Sequence, residues 1–528
     1  MVAIPKNLGD IQSLRKREKK AQADASRWRD LYDDVYEYCL PNRNLYNEEE
    51  PGQKKMDKIF DSTAIESIQI GASKLQENIA PAWKKWAKLE PSSQIKRHPK
   101  YSQYEGQIKE SLDEKTNILF DYINNSNFHT QFYEASLDLL IGTATMRVDE
   151  NFDSDEDPIV FRTIPQFGVA FEEGPKGTIE THWRRLKVKA RNVEREYQGF
   201  EASQAVRDII NKSPESDIEL REGVVFDPKE KVYHGVVWVE GEDRLSWHED
   251  FEQSSPWITS RYTKVAGEAR GRGPAVQVLP DIKTLNKVEE FSLRKSAIDL
   301  AGIYTAVDDG VINPYNMTVA PGVVIPVGSN NNQNPTLARL DTNQRLDLAL
   351  FEVDRLQNNI RRAFFNDLRD PDAPVRSATE IAIEARELAK RIGSAFGRLQ
   401  TELLIPILNR VLWILSRRGL IDNTKINGQD ITAKFTSPLA VAQDSEDLLA
   451  LQQAVEFTLA TSGPEGVQMN FKQEDFGAYA ADKTGVEQKL IRDLAEKQKV
   501  VEAGAQMARQ EIEQGGNVMG STQAGQPV

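Results

Sequence analysis

With 528 residues, 39% hydrophobic and 28% charged, the chain is long enough for two to four domains and has the balance of a soluble globular protein rather than a disordered one. No apolar run approaches the ~18 residues of a membrane span, and a single cysteine, Cys39, excludes an intrachain disulfide and any cysteine-cluster metal site. The net charge of −14 argues against a surface that grips nucleic acid tightly by its phosphates, while leaving loose passage of DNA and no DNA contact both open.

The N-terminus, MVAIPKNLGD, lacks the apolar core of a secretion signal, so a cytoplasm-like compartment is expected. Residues 1–20 end in the cluster Arg15, Lys16, Arg17, Lys19 and Lys20; charge runs usually sit in water, so a solvated helical arm is expected. Trp28, Leu31, Tyr32, Val35 and Cys39 recur at helical spacing up to Pro41. Thr63-x-x-Glu66 resembles a capping box opening a helix to Pro81. Further helices are expected around 102–125 and 129–141, with Trp83 and Trp86 in the core.

From Gly142 to about Arg270 the texture changes. Thr143–Val148, Ile159–Thr163, Val169–Phe171, Thr181–Val188, Val232–Glu240 and Trp257–Thr263 read as strands, interrupted by a helix over 190–212. This is an α+β block carried between helical parts, and the fold class is α+β, mainly helical.

After Pro280 the chain turns helical again, with Asp281 as cap of a helix reaching Ala301 and Gly302 as terminator. Residues 303–340, with Pro314, Pro321, Pro326, Pro335 and the run Ser329–Gln333, read as short strands and turns. A second helix starts near Asp341, carries Leu346, Leu350, Val353, Ile360 and Phe364 on one stripe, and gives out at Leu368. Ser377-x-x-Glu380 caps a long helix to Arg418, interrupted at Gly393, Gly397 and Pro406 and stopped by Gly419. Helices are also expected over 445–460 and 484–513, followed by a disordered tail from Gly515.

Catalytic signatures are missing. The Gly-rich stretches 174–177 and 267–273 lack the Gly-Lys-Ser/Thr ending of a P-loop. His98, His129, His182, His234 and His248 are scattered without H-E-x-x-H, and no nucleophile elbow occurs. The chain is therefore not expected to be an enzyme, and no cofactor or metal is expected.

The most informative stretches are Ser255-Pro-Trp-Ile-Thr-Ser-Arg-Tyr262, Gly267-Glu-Ala-Arg-Gly-Arg-Gly-Pro274 and Leu279-Pro-Asp-Ile-Lys-Thr-Leu-Asn286. Together they resemble the segment entering the first stem helix of portal (head-to-tail connector) proteins of short-tailed bacteriophages. Leu139-Leu-Ile-Gly-Thr-Ala-Thr-Met146, Ser377-Ala-Thr-Glu-Ile381 and Leu399–Leu408 are similar to other segments of that family, and the likeness spans about residues 20–420. No single motif is as specific as a P-loop; their order and spacing carry the match.

The resemblance implies a homo-oligomeric ring, commonly of twelve subunits, at one capsid vertex in the virion, assembled in the host cytoplasm. Its parts would be a basic arm (1–20), a wing (21–278), a stem helix (279–302), a clip (303–340), a second stem helix (341–366), a tunnel loop (367–376), the long wing helix and wing remainder (377–440), a helical crown (441–514) and the tail (515–528). Expected partners are double-stranded DNA, the packaging terminase, a tail adaptor, and the major capsid and scaffolding proteins. Lys283, Lys287, Arg294, Lys295, Arg369 and Arg376 are candidate DNA-channel residues; for the stem-helix lysines and arginine, pairing with Glu289, Glu290 or a neighbouring subunit stands as the alternative. The tunnel loop would use Asp367, Leu368, Asp370, Pro371, Asp372 and Pro374, and partner docking would use Pro314, Tyr315, Asn316, Asn330, Asn331 and Asn332. A virion scaffold or adaptor without DNA contact is the competing function.

Overall fold

The computed structural model describes residues 4–43, 58–301, 304–307, 324–327, 337–339, 347–366, 391–422, 431–473 and 476–480, apart from 153, 155, 253, 394 and 478. They fall into two compact units, one within Met1–Asn78, Ile123–Ile381 and Lys390–Ile414, the other within Ile79–Tyr122 and Leu415–Val528. The fold is α+β and mainly helical.

In chain order the N-terminal elements are α1 (Ile11–Ser26), α2 (Arg29–Cys39), α3 (Thr63–Ile79), β1 (Ala87–Pro91), α4 (Ser93–Lys96), α5 (Tyr101–Asn125) and α6 (Phe128–Ile141). The α+β block follows with β2 (Thr143–Glu150), β3 (Ile159–Thr163), β4 (Val169–Glu173), β5 (Ile179–Lys189), α7 (Val193–Glu196), α8 (Gln204–Lys212), β6 (Asp217–Asp227), β7 (Val232–Val239), β8 (Trp247–Glu252) and β9 (Trp257–Arg261). Next come α9 (Pro274–Ala301), β10 (Tyr304–Val307), β11 (Val324–Val327), β12 (Leu337–Arg339) and α10 (Asp347–Ala363). The last described elements are α11 (Ile405–Arg417), β13 (Ile431–Phe435) and α12 (Pro438–Asn470).

The first unit is organised around a five-stranded antiparallel sheet of order β4-β5-β6-β7-β8. Its strands alternate, so each face has its own core. One face carries Trp183, Val225, Val236 and Trp238 and is covered by Ile11, Leu14 and Ala21 of α1. The other carries Leu220, Val237, Trp247 and Phe251 and is covered by Val193, Tyr197, Phe200 and Val206. The basic N-terminal segment is thus not a solvated arm. Asp10 caps α1 by accepting from the Ser13 N–H at 2.9 Å. Arg17 then pairs with Glu172 at 2.7 Å, Arg15 pairs with Asp243, and buried Glu18 accepts from Arg185 at 2.8 Å. The charge run is the sheet-facing helix's flank, and its apolar stripe is what docks it.

Other expectations need correction. Helix α3 begins at Thr63 itself, with Asp61 Oδ1 accepting the Thr63 N–H at 2.8 Å, so Thr63 is not the capping residue. The helix expected over 190–212 is two short helices parted at Gln198-Gly199, where Gly199 has φ +81°. Strands β6 and β8 escaped the pattern because Glu219, Arg221 and Glu222, and likewise His248–Asp250, dilute their apolar alternation. Asp281 lies inside α9 rather than capping it. The helix begins at Pro274, where a missing N–H is harmless, and runs through Pro280.

A three-stranded sheet β3-β2-β9 links α6 to the segment before α9, and a small sheet β11-β10-β12 lies between α9 and α10 in sequence. In the second unit, β1 and β13 pair antiparallel, and Trp86 stacks edge-on against Phe120 at 5.1 Å. Trp86 is core as expected, but Trp83 is 71% exposed. Before Pro406 the long helix widens into a turn of π-helix over Gln400–Leu404, with the Ile405 N–H donating to the Gln400 carbonyl. Proline's missing donor and its clash with the carbonyl four residues back explain the widening. Gly419 (φ +70°) stops the helix as expected, its N–H donating to Ser416 O at 3.0 Å and that of Leu420 to Leu415 O at 2.9 Å. Helix α12 covers the expected 445–460 stretch and breaks at Gly463-Pro464. The helix expected over 484–513, the tail from Gly515, and the starts at Asp341 and Ser377 lie outside the described residues.

Candidate functional site: the α9–α10 helix pair and its anchor

Helices α9 and α10 pack on one another, and α9 also packs on α2 and α6. Ala275, Leu279, Ile282 and Leu285 of α9 are buried, as are Val353, Leu356 and Ile360 of α10 with Phe364 beyond it. Buried Asn286 stitches α9 to the segment before α3. Its Nδ2 donates to Lys58 O at 2.6 Å, and its Oδ1 accepts the Phe60 N–H at 2.6 Å. Gln357 of α10 reaches the same segment by donating to Asp61 Oδ2 at 2.9 Å. Further along, the pair presents large apolar side chains to the outside: Phe291, Leu293, Leu300 and Phe351 are all more than half exposed.

The basic residues of α9 are engaged within the chain. Lys283 Nζ lies 2.7 Å from Asp34 and over the Tyr38 ring. Glu290 holds two of them, Lys287 at 2.7 Å and Arg294 at 2.5 Å. The Lys287 hydrogen bond draws the Glu290 carboxyl below its ordinary range, whereas burial, helped by Asp61, pushes Glu289 up. Lys295 is half-buried and also interacts within the chain. Lys287 and Arg294 nonetheless keep 56% and 69% of their side-chain surface, and ion pairs open to water on the cation side hold only weakly. Arg369, Arg376, the other residues expected in a tunnel loop (Asp367, Leu368, Asp370, Pro371, Asp372 and Pro374), and those expected to dock a partner (Pro314, Tyr315, Asn316, Asn330, Asn331 and Asn332) lie outside the described residues.

The glycines and arginines preceding α9 set its direction. A Cβ on Gly271 would stand 2.2 Å from the Gly142 carbonyl oxygen, and one on Gly273 2.0 Å from that of Leu140. The chain entering α9 therefore lies backbone against backbone with the α6–β2 turn, joined by Gly273 N–H to Ile141 O at 2.8 Å. Tyr32 donates to Gly271 O at 2.7 Å, and Thr143 Oγ1 accepts the Gly271 N–H at 2.8 Å.

Arg270 is buried between the rings of Tyr32 and Phe171 and donates to Gln166 Oε1 at 2.9 Å and Val169 O at 2.6 Å. Arg261, with no exposed side-chain surface, donates to Glu402 at 2.6 Å and also to Glu173. These arginines are structural. In the sequence only Arg270 carries a signal of this, its setting among Gly267, Gly271 and Gly273, which points to close packing; nothing marks Arg261.

Residues 11–491 match the family described as bacteriophage head to tail connecting protein. The portal protein of Salmonella phage epsilon15 is 23% identical over 98% of this chain and 96% of its own length. That of Escherichia phage T7 is 20% identical over 76% of this chain and 74% of its own. Among solved structures, a chain from the virion of a native gene transfer agent particle aligns with 82% of this chain and 96% of its own, at 11% identity and a TM-score of 0.32. With nearly its whole length matched, and with the glycine contacts that aim α9 built from the residues that first suggested the likeness, the chain belongs to the bacteriophage head to tail connecting protein family.

Proposed function

We propose that the chain is a portal subunit, assembling head-to-tail into a closed ring, with twelve subunits the expected number, at the head–tail junction of the virion. A heterologous interface closes into a ring when its rotation permits. The observation that carries this reading is the α9–α10 pair: two rigid helices with exposed Phe291, Leu293, Leu300 and Phe351, which a neighbouring copy would cover. In this role the subunit is structural, not catalytic. Duplex DNA passes along the channel, a packaging terminase docks first, and a tail adaptor replaces it.

The charge pattern suits passage without capture. Lys287 and Arg294 share Glu290, so phosphate meets cations already weakly satisfied. Negative-stain microscopy of the purified protein tests the assembly: rings with a central bore are expected, and a stable monomer at micromolar concentration across salt conditions overturns it. Two variants test the parts. Deleting Pro314–Asn334 should leave the wing folded and abolish terminase or adaptor docking. Replacing Arg369 and Arg376 by alanine should spare rings but impair genome retention.

A further inference from the structure

At the edge of the five-stranded sheet, outside the α9–α10 pair, two histidines and a carboxylate converge. Strands β7 and β8 pair His234 with Asp250 and Val236 with His248, so His234, His248 and Asp250 leave the same face of the sheet. Asp250 Oδ1 lies 2.5 Å from His234 Nδ1 and 2.8 Å from His248 Nε2. The second contact is off-angle, and His248 Nε2 has no hydrogen-bond partner among the described residues. The two rings stand 5.7 Å apart at 31°, and one ligand atom from each residue falls within 4.8 Å of the others.

We propose that His234 Nδ1, His248 Nε2 and Asp250 bind one divalent cation of the zinc class, with water completing the coordination sphere. Two imidazoles and one carboxylate favour Zn²⁺ and its neighbours over Ca²⁺ or Mg²⁺, which prefer all-oxygen sets. The open position faces solvent, because Asp250 keeps 52% of its side-chain surface while His234 keeps 3%. The second ring nitrogen of His234 supports the assignment. His234 Nε2 is buried without a hydrogen-bond partner among the described residues, 3.8 Å from Asp227 Oδ2. A small ring movement lets Nε2–H donate to that carboxylate, the outer arrangement that fixes a metal-binding histidine.

Asp227 is itself held, accepting the Lys229 N–H at 2.8 Å and Asn7 Nδ2 at 2.7 Å. Asn7 also donates to Glu230 at 3.0 Å, which fills the competing site formed by Asp227, Glu230 and His234. The bound cation ties edge strand β8 to β7 beside the turn that leads into α1.

The test uses the full-length protein, stripped with EDTA and titrated with Co²⁺ as a visible-absorbing probe, then with Zn²⁺ in competition. One Co²⁺ per chain, with d–d bands that Zn²⁺ abolishes, is expected. His248→Ala and Asp250→Asn should each weaken binding at least about tenfold, and Asp227→Asn about 10- to 100-fold. Exposed His98, replaced by alanine, should change nothing. Absence of the bands, or equal binding by His248→Ala, overturns the site. As a separate readout, Zn²⁺ should raise the melting temperature of the parent but not of Asp250→Asn. A rise retained in that variant also overturns it.

Discussion

Arg261 on β9 grips Glu402 in the π-turn with three donors: its backbone N–H and Nε at 3.1 Å each and Nη2 at 2.6 Å. The π-turn exists because Pro406 follows it, and the pair fixes its place against the sheet. Glu402→Ala removes the carboxylate that takes three of Arg261's donors and leaves Glu173 as its remaining carboxylate partner, so the loss should fall below the about 3–5 kcal/mol of a buried charge left wholly unpaired. The variant should still lower the melting temperature measurably. In Arg261→Met/Glu402→Leu much of the loss should return, since Glu173 retains Lys264 at 2.6 Å. A double variant less stable than Glu402→Ala would show that the pair does more than balance charge.

The glycine contacts lead to a second expectation. Gly271→Ala places a methyl group against a carbonyl that belongs to the α6–β2 turn, where neither backbone can yield without moving α9. The variant should accumulate as insoluble or protease-sensitive chain. Gly397 has open space around its Cβ position and sits in a helix, so Gly397→Ala should be neutral or stabilising by up to about 1 kcal/mol. Limited proteolysis of both variants separates these outcomes.

How much of this was legible in the sequence follows from the same residues. Periodicity located α5, α6, the body of α9, most strands between α6 and α9 and the stop at Gly419, because each has a clean apolar stripe or a terminator with one mechanical purpose. It failed where tertiary contacts override the local pattern. The charged flank of α1 hid the docking of the expected helical arm, whose few apolar residues meet two tryptophans of the sheet. Pro280 and Asp281 looked like the start of the helix because nothing local signals that α9 already begins at Pro274 and runs through the proline. The His234–His248–Asp250 cluster was invisible because strand register, not sequence spacing, brings it together.

A pH dependence follows from His182. It is buried beside Phe171 and Trp257, with Nε2 3.0 Å from Thr259 Oγ1, and burial pushes its pKa from the ordinary 6.5 down to about 3. Between these values the unfolded chain carries the proton and the folded chain does not. The stabilisation is therefore complete above pH 6.5 and is lost progressively as pH falls towards 3, by about 1.4 kcal/mol per pH unit within that window. Chemical denaturation between pH 7 and 5, above most carboxylate titration, should show this slope. His182→Gln should flatten it, and an unchanged slope would place the acid sensitivity elsewhere.

The last expectation concerns Glu290, whose two cations are the best-defined candidates for phosphate contact. If DNA slides because its grip is kept weak, the carboxylate is the brake on affinity, and removing it should act opposite to removing the cations. Glu290→Gln keeps the side chain's shape and frees Lys287 and Arg294, so assembled rings should hold duplex DNA more tightly. The salt dependence should steepen, because each newly engaged cation releases counterions from the duplex. Lys287→Ala/Arg294→Ala should weaken binding and flatten the salt slope, with ring formation checked in parallel by negative-stain microscopy. Fluorescence anisotropy of a labelled duplex titrated with salt measures both. If Glu290→Gln and the double alanine variant bind DNA alike, these cations serve the subunit's own helix and not the channel.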